Sequence, residues 1–298
     1  MSQKIIQRLC VIGVGLIGGS LARGLKKAGV VTEVVGAGRN VAHLEKAKEL
    51  GVIDSFETDI SQAVKGCDMV VLAVPLGAMQ SVFEQISSVI TEEMIITDVG
   101  SAKASVVKAA QQAFKSFPDT LVPGHPIAGT EKSGVEASFA ELFDNRRIIL
   151  TPLETSSSEA VSKVRKMWQA CGADVVETSI EHHDEVLAAT SHLPHMLAYS
   201  LVDTLAKMDE KKEIFDFAAG GFRDFTRIAS SDPEMWHDIC ISNKDALVTM
   251  IKKFTDDLEL LAKAIEANDS VYLKEIFSRA KKARDEFCED KNINDSPE

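Results

Sequence analysis

The chain has 298 residues, of which 45% are hydrophobic and 26% are charged, and its formal net charge at pH 7 is −12. This composition is typical of a folded globular protein, and a chain of this length usually forms two packed domains. The acidic charge argues against nucleic acid or an anionic membrane surface as a partner, because both bind basic surfaces.

The amino-terminal segment and the cysteines indicate the compartment. The first residues run directly into an apolar strand, without the apolar stretch and cleavage site of a signal peptide. No run of about 18 apolar residues occurs, so no membrane-spanning helix is expected. The spacing of the five cysteines matches neither a disulfide framework nor a zinc site; they are Cys10, Cys67, Cys171, Cys240 and Cys288. We therefore expect a cytoplasmic protein with reduced cysteines and no metal.

The first half of the chain alternates short β-branched runs with amphipathic segments of helical period. Strands are predicted at RLCVIGV, TEVVGAG, DMVVLAVP and MIITDVG, and later at TLVPG, RIILTP and ADVVET. Helices are predicted between them at LIGGSLARGLKKAG, AHLEKAKELG, AMQSVFEQISSVI and KASVVKAAQQAF. This alternation predicts an α/β fold with a Rossmann-type, doubly wound, mostly parallel sheet and helices on both faces.

After Thr178 the predicted strands stop and long helical stretches follow. These are residues 182–208, 235–267 and 270–287. Their periodicity predicts an all-helical second domain over residues 179–298. Its many apolar positions serve either a core of its own or a face that packs against a second subunit, as in a homodimer.

A glycine-rich loop joins the first predicted strand to the first predicted helix. It has the pattern G-x-G-x-x-G and consists of Gly13, Val14, Gly15, Leu16, Ile17 and Gly18. Such glycines permit a tight turn, close approach to a pyrophosphate and close packing of helix and strand, while free N–H groups at the helix start bind the phosphate. The loop predicts that residues 1–178 form a dinucleotide-binding domain, the alternative being a tight turn without a ligand.

The residues after the second predicted strand bear on the choice of cofactor. NAD enzymes usually carry an acidic side chain here for the ribose 2′-hydroxyl, whereas this chain has Gly38, Arg39 and Asn40. An arginine suits a 2′-phosphate, so NADP is favoured; in an NAD enzyme Arg39 would instead be solvated or stack on adenine. Val74 and Pro75, after the strand DMVVLAVP, complete the predicted cofactor-binding residues.

Four polar stretches lie where predicted strands or helices end. They are DVGSAK from Asp98, GHPIAGTE from Gly124, SHLPH from Ser191 and GGFRDFTR from Gly220. Through these motifs, and most specifically through GHPIAGTEKSG and GGFRDFTRIASSDPEMW, nearly the whole chain resembles the prephenate and arogenate dehydrogenase family of tyrosine biosynthesis. The resemblance implies oxidative decarboxylation of prephenate or arogenate with hydride transfer to NAD(P), giving 4-hydroxyphenylpyruvate or tyrosine.

The resemblance also implies two catalytic residues. His125 matches the family's catalytic histidine, and an imidazole that titrates near neutral pH suits a general base. The alternative for His125 is a loop histidine bonded to the backbone. Ser101 matches a serine that hydrogen-bonds near the reacting hydroxyl and the nicotinamide, although a serine before a predicted helix also suits an N-cap.

Further residues are implied to bind substrate, namely Arg227, Thr130, Glu131, His195, Asp224 and Trp236. Arg227 matches an arginine that binds a substrate carboxylate, for which a planar fork is better suited than a lysine. Asp224 and Glu131 match acids that pair with such an arginine and gate access, the alternative being a surface ion pair. Trp236 either stacks beside the substrate or anchors the core.

Other histidines in the helical half have less specific interpretations. His192 and His195 are spaced like metal ligands on a helix, but no acidic or cysteine partner stands at a suitable spacing. We expect His192 in the core or behind the site. The stretch His182 to Glu185 is interpreted as a solvated helix start.

Two other functions share some of these features. A dehydrogenase of the 3-hydroxyacid or imine-reductase type shares the glycine loop and the helical half, but gives no reason for GHPIAGTEKSG. A regulatory module that binds NADPH without turnover is also compatible with the fold. The residues assigned from the sequence fit prephenate and arogenate equally. The resemblance also implies feedback inhibition by tyrosine, which would act at the active site.

Overall fold

The computed structural model describes residues 4–130, 132–209 and 211–291. The strands in these ranges are β1 (Ile6–Ile12), β2 (Val31–Ala37), β3 (Ser55–Glu57), β4 (Met69–Leu72), β5 (Ile95–Asp98), β6 (Leu121–Val122), β7 (Gly124–Pro126), β8 (Arg147–Leu150) and β9 (Asp174–Glu177). The helices are α1 (Leu16–Ala28), α2 (Val41–Glu49), α3 (Ile60–Val64), α4 (Met79–Ile86), α5 (Lys103–Ala113), α6 (Ser158–Ala170), α7 (Ile180–Leu187), α8 (Leu193–Ala206), α9 (Lys211–Asp216), α10 (Gly220–Thr226), α11 (Pro233–Ser242), α12 (Lys244–Glu266) and α13 (Ser270–Lys291). Among these described helices, none is both long and apolar enough to pass through a membrane.

The larger sheet has six parallel strands in the order β3-β2-β1-β4-β5-β6. Side chains alternate between its faces: Leu9 and Val11 of β1 pack with α1 and α6, whereas Cys10 and Ile12 pack with α3, α4 and α5. The predicted doubly wound sheet is therefore confirmed. The chain reverses its direction of winding between β1 and β4, and sheets of this kind bind ligands beside the strand ends at that point.

A second, three-stranded sheet has the order β7-β8-β9. β7 pairs antiparallel with β8, and β8 pairs parallel with β9. The stretch TLVPG, predicted as one strand, divides between the two sheets at Pro123, which has no N–H to donate to a ladder. The later strand predictions are thus correct as strands. Leu121–Val122 joins the parallel sheet as predicted, whereas β7, β8 and β9 form a sheet of their own, so for them the assignment to the large sheet is wrong. Pairing with Ile149 places His125 in the middle of β7.

The helical stretches after Thr178 are divided more finely than their periodicity predicts. A π-helical segment, Ala188–His192, separates α7 from α8. Asn243 separates α11 from α12. π-Helical turns occur frequently at functional sites, and this one contains His192 and directly precedes α8, which carries His195.

The chain forms two compact units, Met1–Leu247 and Val248–Glu298. The first contains both sheets and the helices through α11, together with the start of α12. The second contains most of α12 and all of α13, and several large apolar side chains are exposed on it, namely Val248, Ile251, Leu258, Leu260, Ile265, Val271, Phe277 and Phe287. The functional boundary that the sequence places at residue 178 stays a prediction.

Candidate active site

The glycine loop lies between β1 and α1, at the reversal point of the large sheet. Gly13 has a φ of +95°, and a Cβ there would lie 2.3 Å from the carbonyl oxygen of Ala73. A Cβ on Gly18 would lie 2.3 Å from the carbonyl oxygen of Gly13. These two glycines are therefore required by local packing.

Gly15 has a different reason to be a glycine. It is the N-cap of α1, no side chain caps the helix there, and a Cβ would meet no atom within 4 Å. The protein's own packing does not require a glycine at this position. Open space above free helix N–H groups fits the close approach of a pyrophosphate, and Leu16 and Ile17 continue the loop into α1.

The other predicted cofactor-binding residues follow β2 and β4, the two neighbours of β1. The structure thus brings all three loops to one edge of the sheet. Arg39, beside Gly38, is exposed and makes no hydrogen bond or ion pair within the described ranges. Asn40 caps α2, because its side chain accepts a hydrogen bond from the His43 N–H at 3.2 Å. After β4, Val74 is half-buried and Pro75 is exposed.

His125 is buried in β7 and contacts a second histidine. Its Nδ1 lies 2.9 Å from Nε2 of His183, and the two rings meet edge to face. On the far side of His183, Nδ1 lies 2.7 Å from Oδ1 of Asp184. The alternative of a loop histidine bonded to the backbone is therefore wrong. His125 is the end of a chain of three side chains from β7 to α7.

The surroundings of His125 keep its imidazole neutral. Burial lowers its pKa well below the usual value. Repulsion from the charge of Lys103, and from His183 or His192 whenever either carries a second proton, adds to the effect. Burial acts the other way on Asp184, but hydrogen bonds from His183 and from two backbone N–H groups outweigh it and lower the pKa of that carboxyl. A neutral imidazole can accept a proton, as a general base must.

Lys103 and Asp98 form a buried ion pair beside His125. Lys103 Nζ lies 2.5 Å from Asp98 Oδ2 and donates to the Gly124 carbonyl oxygen at 2.6 Å. Asp98 in turn accepts hydrogen bonds from the N–H groups of Gly124 and Gly100. Burial lowers the pKa of Lys103, and the charge of Asp98 opposes that shift. These contacts tie β5 and the start of α5 to β7, and so hold the strand that carries His125.

Ser101 lies half-buried between β5 and α5, but it does not cap α5. The N-cap is Ala102, which has no capping side chain. The N–H groups of Lys103 and Ala104 instead donate to the Asp184 carboxylate at 2.8 and 2.9 Å. The N-cap alternative for Ser101 is therefore wrong. Its hydroxyl has no hydrogen-bond partner in the part of the chain that the structure describes, which leaves it available to a ligand.

His195 and Trp236 form a stacked pair between α8 and α11. Their ring centroids are 3.7 Å apart and the planes differ by 22°. His195 Nδ1 lies 2.9 Å from the Ser191 carbonyl oxygen, so Nδ1 carries the proton and Nε2 the lone pair. Trp236 is almost fully buried and also meets His192 edge to face. It therefore anchors the local core while presenting a ring to His195.

His192 lies in the core behind this pair, as expected. Its Nδ1 is 3.1 Å from the amide nitrogen of Asn243, which also donates to the Asp184 carbonyl oxygen at 2.8 Å. Burial lowers the pKa of His192 to about 4, although the charge of Asp184 opposes the shift. Within the described ranges, no three His, Cys, Asp or Glu side chains are grouped to hold a metal ion.

The predicted carboxylate anchor, Arg227, lies near His195. Arg227 begins the short 3-10 turn Arg227–Ser230 that packs against α8, and its charge contributes to the lowered pKa of His195, of which burial is the main cause. Arg227 and Asp224 are exposed. Thr130 is also exposed, and its hydroxyl accepts a hydrogen bond from the Lys132 N–H. Glu131 lies outside the described residues.

Both halves of the chain match one protein family. Residues 21–177 match the nucleotide-binding domain of prephenate dehydrogenase, and residues 179–279 match the dimerization domain of prephenate dehydrogenase. The chain belongs to the prephenate dehydrogenase family. The family resemblance inferred from the sequence motifs is confirmed, and with it the use of NAD(P) through a nucleotide-binding domain.

Individual members of the family are similar over nearly the whole chain. The cyclohexadienyl dehydrogenase of Zymomonas mobilis is 38% identical over 94% of this chain and 96% of its own. The prephenate dehydrogenase of Bacillus subtilis is 37% identical over 93% of this chain and 75% of its own. The crystal structure of prephenate dehydrogenase from A. aeolicus, in complex with hydroxyphenyl propionate and NAD+, has a TM-score of 0.89 at 36% identity and covers 96% of this chain and 99% of that one.

Sequence reasoning missed His183, Asp184, Lys103 and Asp98 as members of the site. The interpretation of residues 182–185 as a solvated helix start is wrong for the middle two, since His183 is 1% exposed and Asp184 6%. The outer two residues are exposed, as predicted. A signal was present: His183 lies four residues before the buried Leu187, so it shares that apolar face of α7.

Proposed function

We propose that this chain catalyses the oxidative decarboxylation of prephenate, arogenate or both, with hydride transfer to NAD(P), as a step of tyrosine biosynthesis. The observation that carries the proposal is the buried, neutral His125 of this family member, with its ring linked to His183 and its strand tied to β5. The products are 4-hydroxyphenylpyruvate from prephenate and tyrosine from arogenate.

The proposed chemistry requires one proton acceptor from the protein. When bound, NAD(P) supplies the acceptor for the hydride of the ring carbon that bears the hydroxyl. His125 hydrogen-bonds that hydroxyl and takes its proton as the carbon–oxygen bond gains double-bond character. As CO₂ leaves, the electrons of the broken carbon–carbon bond complete the aromatic ring, and His125 returns the proton to the phenol oxygen. The Ser101 hydroxyl, which has no hydrogen-bond partner among the described residues, is assigned a hydrogen bond to the substrate close to the same oxygen.

The substrate's negative charge needs local cations in a chain with a net charge of −12. We assign a substrate carboxylate to Arg227, whose guanidinium can bind both carboxylate oxygens. The stacked pair of Trp236 and His195 forms an apolar wall beside it. We assign Thr130 to the entrance of the site and Asp224 to gating access to Arg227, since both are exposed. The corresponding assignments of Glu131 rest on its sequence motif alone.

We infer that NADP is the preferred cofactor. The support is the exposed Arg39 after β2, where no carboxylate is present to bind a ribose 2′-hydroxyl. The competing possibility is that Arg39 stacks on the adenine of NAD, the cofactor in the A. aeolicus complex. Relative kcat/KM values with the two cofactors decide between them: a preference for NADP that Arg39→Gln removes supports the inference, and a strong preference for NAD contradicts it.

We also infer a cytoplasmic homodimer formed through the helical half. The match of residues 179–279 to a dimerization domain and the large exposed apolar side chains between Val248 and Phe287 support this assembly. Sedimentation of the full chain should give twice the 32.3 kDa mass of one subunit. A monomer at micromolar concentration would contradict the inference.

Steady-state assays test the function itself. The full chain is mixed with prephenate or arogenate and with NAD or NADP, while the absorbance of the reduced nicotinamide and the release of CO₂ are followed. We expect equal amounts of reduced cofactor, CO₂ and aromatic product with at least one pair. Binding of NADPH without turnover of either substrate would favour the regulatory module. Reduction of cofactor without CO₂ would favour a dehydrogenase of another type.

A further inference from the structure

Two residues of α7 connect the predicted base to the start of α5. Asp184 accepts hydrogen bonds at Oδ1 from His183 Nδ1 and from the Lys103 N–H, and at Oδ2 from the Ala104 N–H. His183 Nε2 then meets His125 Nδ1 at 2.9 Å. Asp184 and the two histidines are buried, so bulk water does not compete for these bonds.

Asp184 determines which atom donates and which accepts in the hydrogen bonds that connect it to His183 and His125. Its carboxyl receives backbone N–H groups at both oxygens, and these bonds favour the ionised form, which has no hydrogen of its own to donate. His183 Nδ1 must therefore carry a hydrogen, and in a neutral imidazole the opposite nitrogen, Nε2, is then an acceptor. It follows that His125 donates from Nδ1, and that His125 Nε2 holds the lone pair.

We propose that His183 and Asp184 are positioning residues that hold His125 in the tautomer protonated on Nδ1, so that Nε2 is the atom that accepts the substrate's proton. The proposal rests on the proposed function of His125 as the general base. Neither residue touches the substrate in this scheme. Asp184 acts through its hydrogen bond to His183, and His183 acts through its hydrogen bond to His125.

The charged groups around His125 favour its neutral form, in which one ring nitrogen keeps a lone pair. Lys103 from α5, His183 from α7 and His192 from the π-helical segment all disfavour an additional proton on His125. Asp98 compensates the charge of Lys103, and Asp184 bonds to His183 rather than to His125. No described carboxylate bonds directly to His125, so its tautomer depends on the single bond to His183.

Three variants separate this role from a purely structural one. His183→Ala removes the acceptor for His125 Nδ1, whereas His183→Gln places a side-chain amide oxygen near the former position of Nε2. His182→Ala is the matched control, because His182 is the preceding residue on α7 and is exposed. The ¹⁵N NMR shifts of the His125 ring nitrogens are measured in the full chain without substrate, with His125→Asn used to assign the signals.

We expect the His125 shifts of the native chain and of His182→Ala to report a proton on Nδ1 and a lone pair on Nε2. His183→Ala should move the proton toward Nε2, and kcat should fall about 10- to 10³-fold with little change in the dissociation constant of the cofactor. His183→Gln should retain the Nδ1 proton and recover part of kcat. If His183→Ala fails to fold, the tautomer and kcat of His183→Gln still test the proposal.

The NMR and kinetic results distinguish failure of this proposal from failure of the proposed function. An unchanged His125 tautomer in His183→Ala, or a native tautomer on Nε2, overturns the positioning role. A tautomer that changes while kcat does not supports the hydrogen-bond chain, and shows instead that His125 is not the base. The positioning role is also overturned if His183→Gln keeps the native tautomer of His125 and yet loses as much kcat as His183→Ala.

Discussion

Lys103 Nζ lies 2.5 Å from Asp98 Oδ2, and the two side chains are 0% and 2% exposed. A charge buried this deeply is tolerated because its partner and several hydrogen bonds compensate the lost solvation. The pair lies beside the predicted base, because Lys103 also binds the carbonyl of Gly124, the residue that precedes His125. Its integrity therefore affects both the stability of the fold and the position of His125.

Lys103→Met should lower the free energy of unfolding by about 3–5 kcal/mol, because Asp98 is left as a buried, unpaired charge. Urea unfolding measures the loss. Lys108→Met, at an exposed position of the same helix, is the control and should change stability by less than about 0.5 kcal/mol. Adding Asp98→Asn to Lys103→Met should recover part of the loss. Equal stabilities of the two single variants would contradict the buried-charge explanation.

The two tryptophans of the chain should respond differently to substitution. Trp236→Leu removes the ring that stacks on His195, and should raise the substrate KM about 3- to 10-fold. Trp168→Leu removes a ring that packs on Phe143 in the nucleotide-binding half, so it should lower stability while leaving that KM unchanged. Steady-state kinetics and urea unfolding of both variants test the difference. An unchanged KM in Trp236→Leu would remove Trp236 from the substrate site.

Stability should fall as the pH is lowered from about 6.5 toward 4. The pKa of His192 in the folded protein is about 4, so between these values the unfolded chain binds a proton on His192 that the folded protein does not. One such group contributes on the order of 3 kcal/mol across this window. His125, whose pKa is also lowered, adds in the same direction.

Urea unfolding at a series of pH values measures this dependence. His192→Gln should reduce its slope between pH 6.5 and 4, whereas His182→Gln, at an exposed position, should leave it as in the native chain. The same slope in all three proteins would contradict the assignment of a buried, neutral His192.

Arg227→Ala should raise the substrate KM about 10- to 100-fold, because it removes a charge-assisted hydrogen bond to a carboxylate, while the cofactor dissociation constant stays the same. Arg227→Lys keeps the charge but loses the planar fork, so its KM should lie between those of the other two proteins. Arg223→Ala, one turn earlier on α10 and exposed, is the control. If Arg227→Ala kept the native KM, the anchor assignment would fail.

Much of the fold follows from local patterns in the sequence. The apolar run of β1, the glycines of the next loop and the amphipathic period of α1 act over neighbouring residues, and their structure is as predicted. The assignment of the strands after Pro123 to the parallel sheet failed because the sheet that a strand joins is decided by long-range pairing. Pro123 was the one local sign of that division.

The candidate site was predictable only in part, for the same reason. His125 was found through its motif, but its contact with His183 joins residues 58 positions apart in the chain. Ser101 preceded a predicted helix and suited an N-cap, yet the carboxylate of Asp184 occupies that role from another helix. Partners of this kind are set by how α5, α7 and β7 pack together, which no spacing along the sequence reports.

The decisive assay for the role of His125 is the turnover of His125→Asn with the better of the two substrates. Asparagine can hydrogen-bond but cannot accept the substrate's proton at neutral pH, so kcat should fall about 10²- to 10⁴-fold while the cofactor dissociation constant changes little. Turnover by His125→Asn at the native rate, with the cofactor bound normally, would contradict the assignment of His125 as the base.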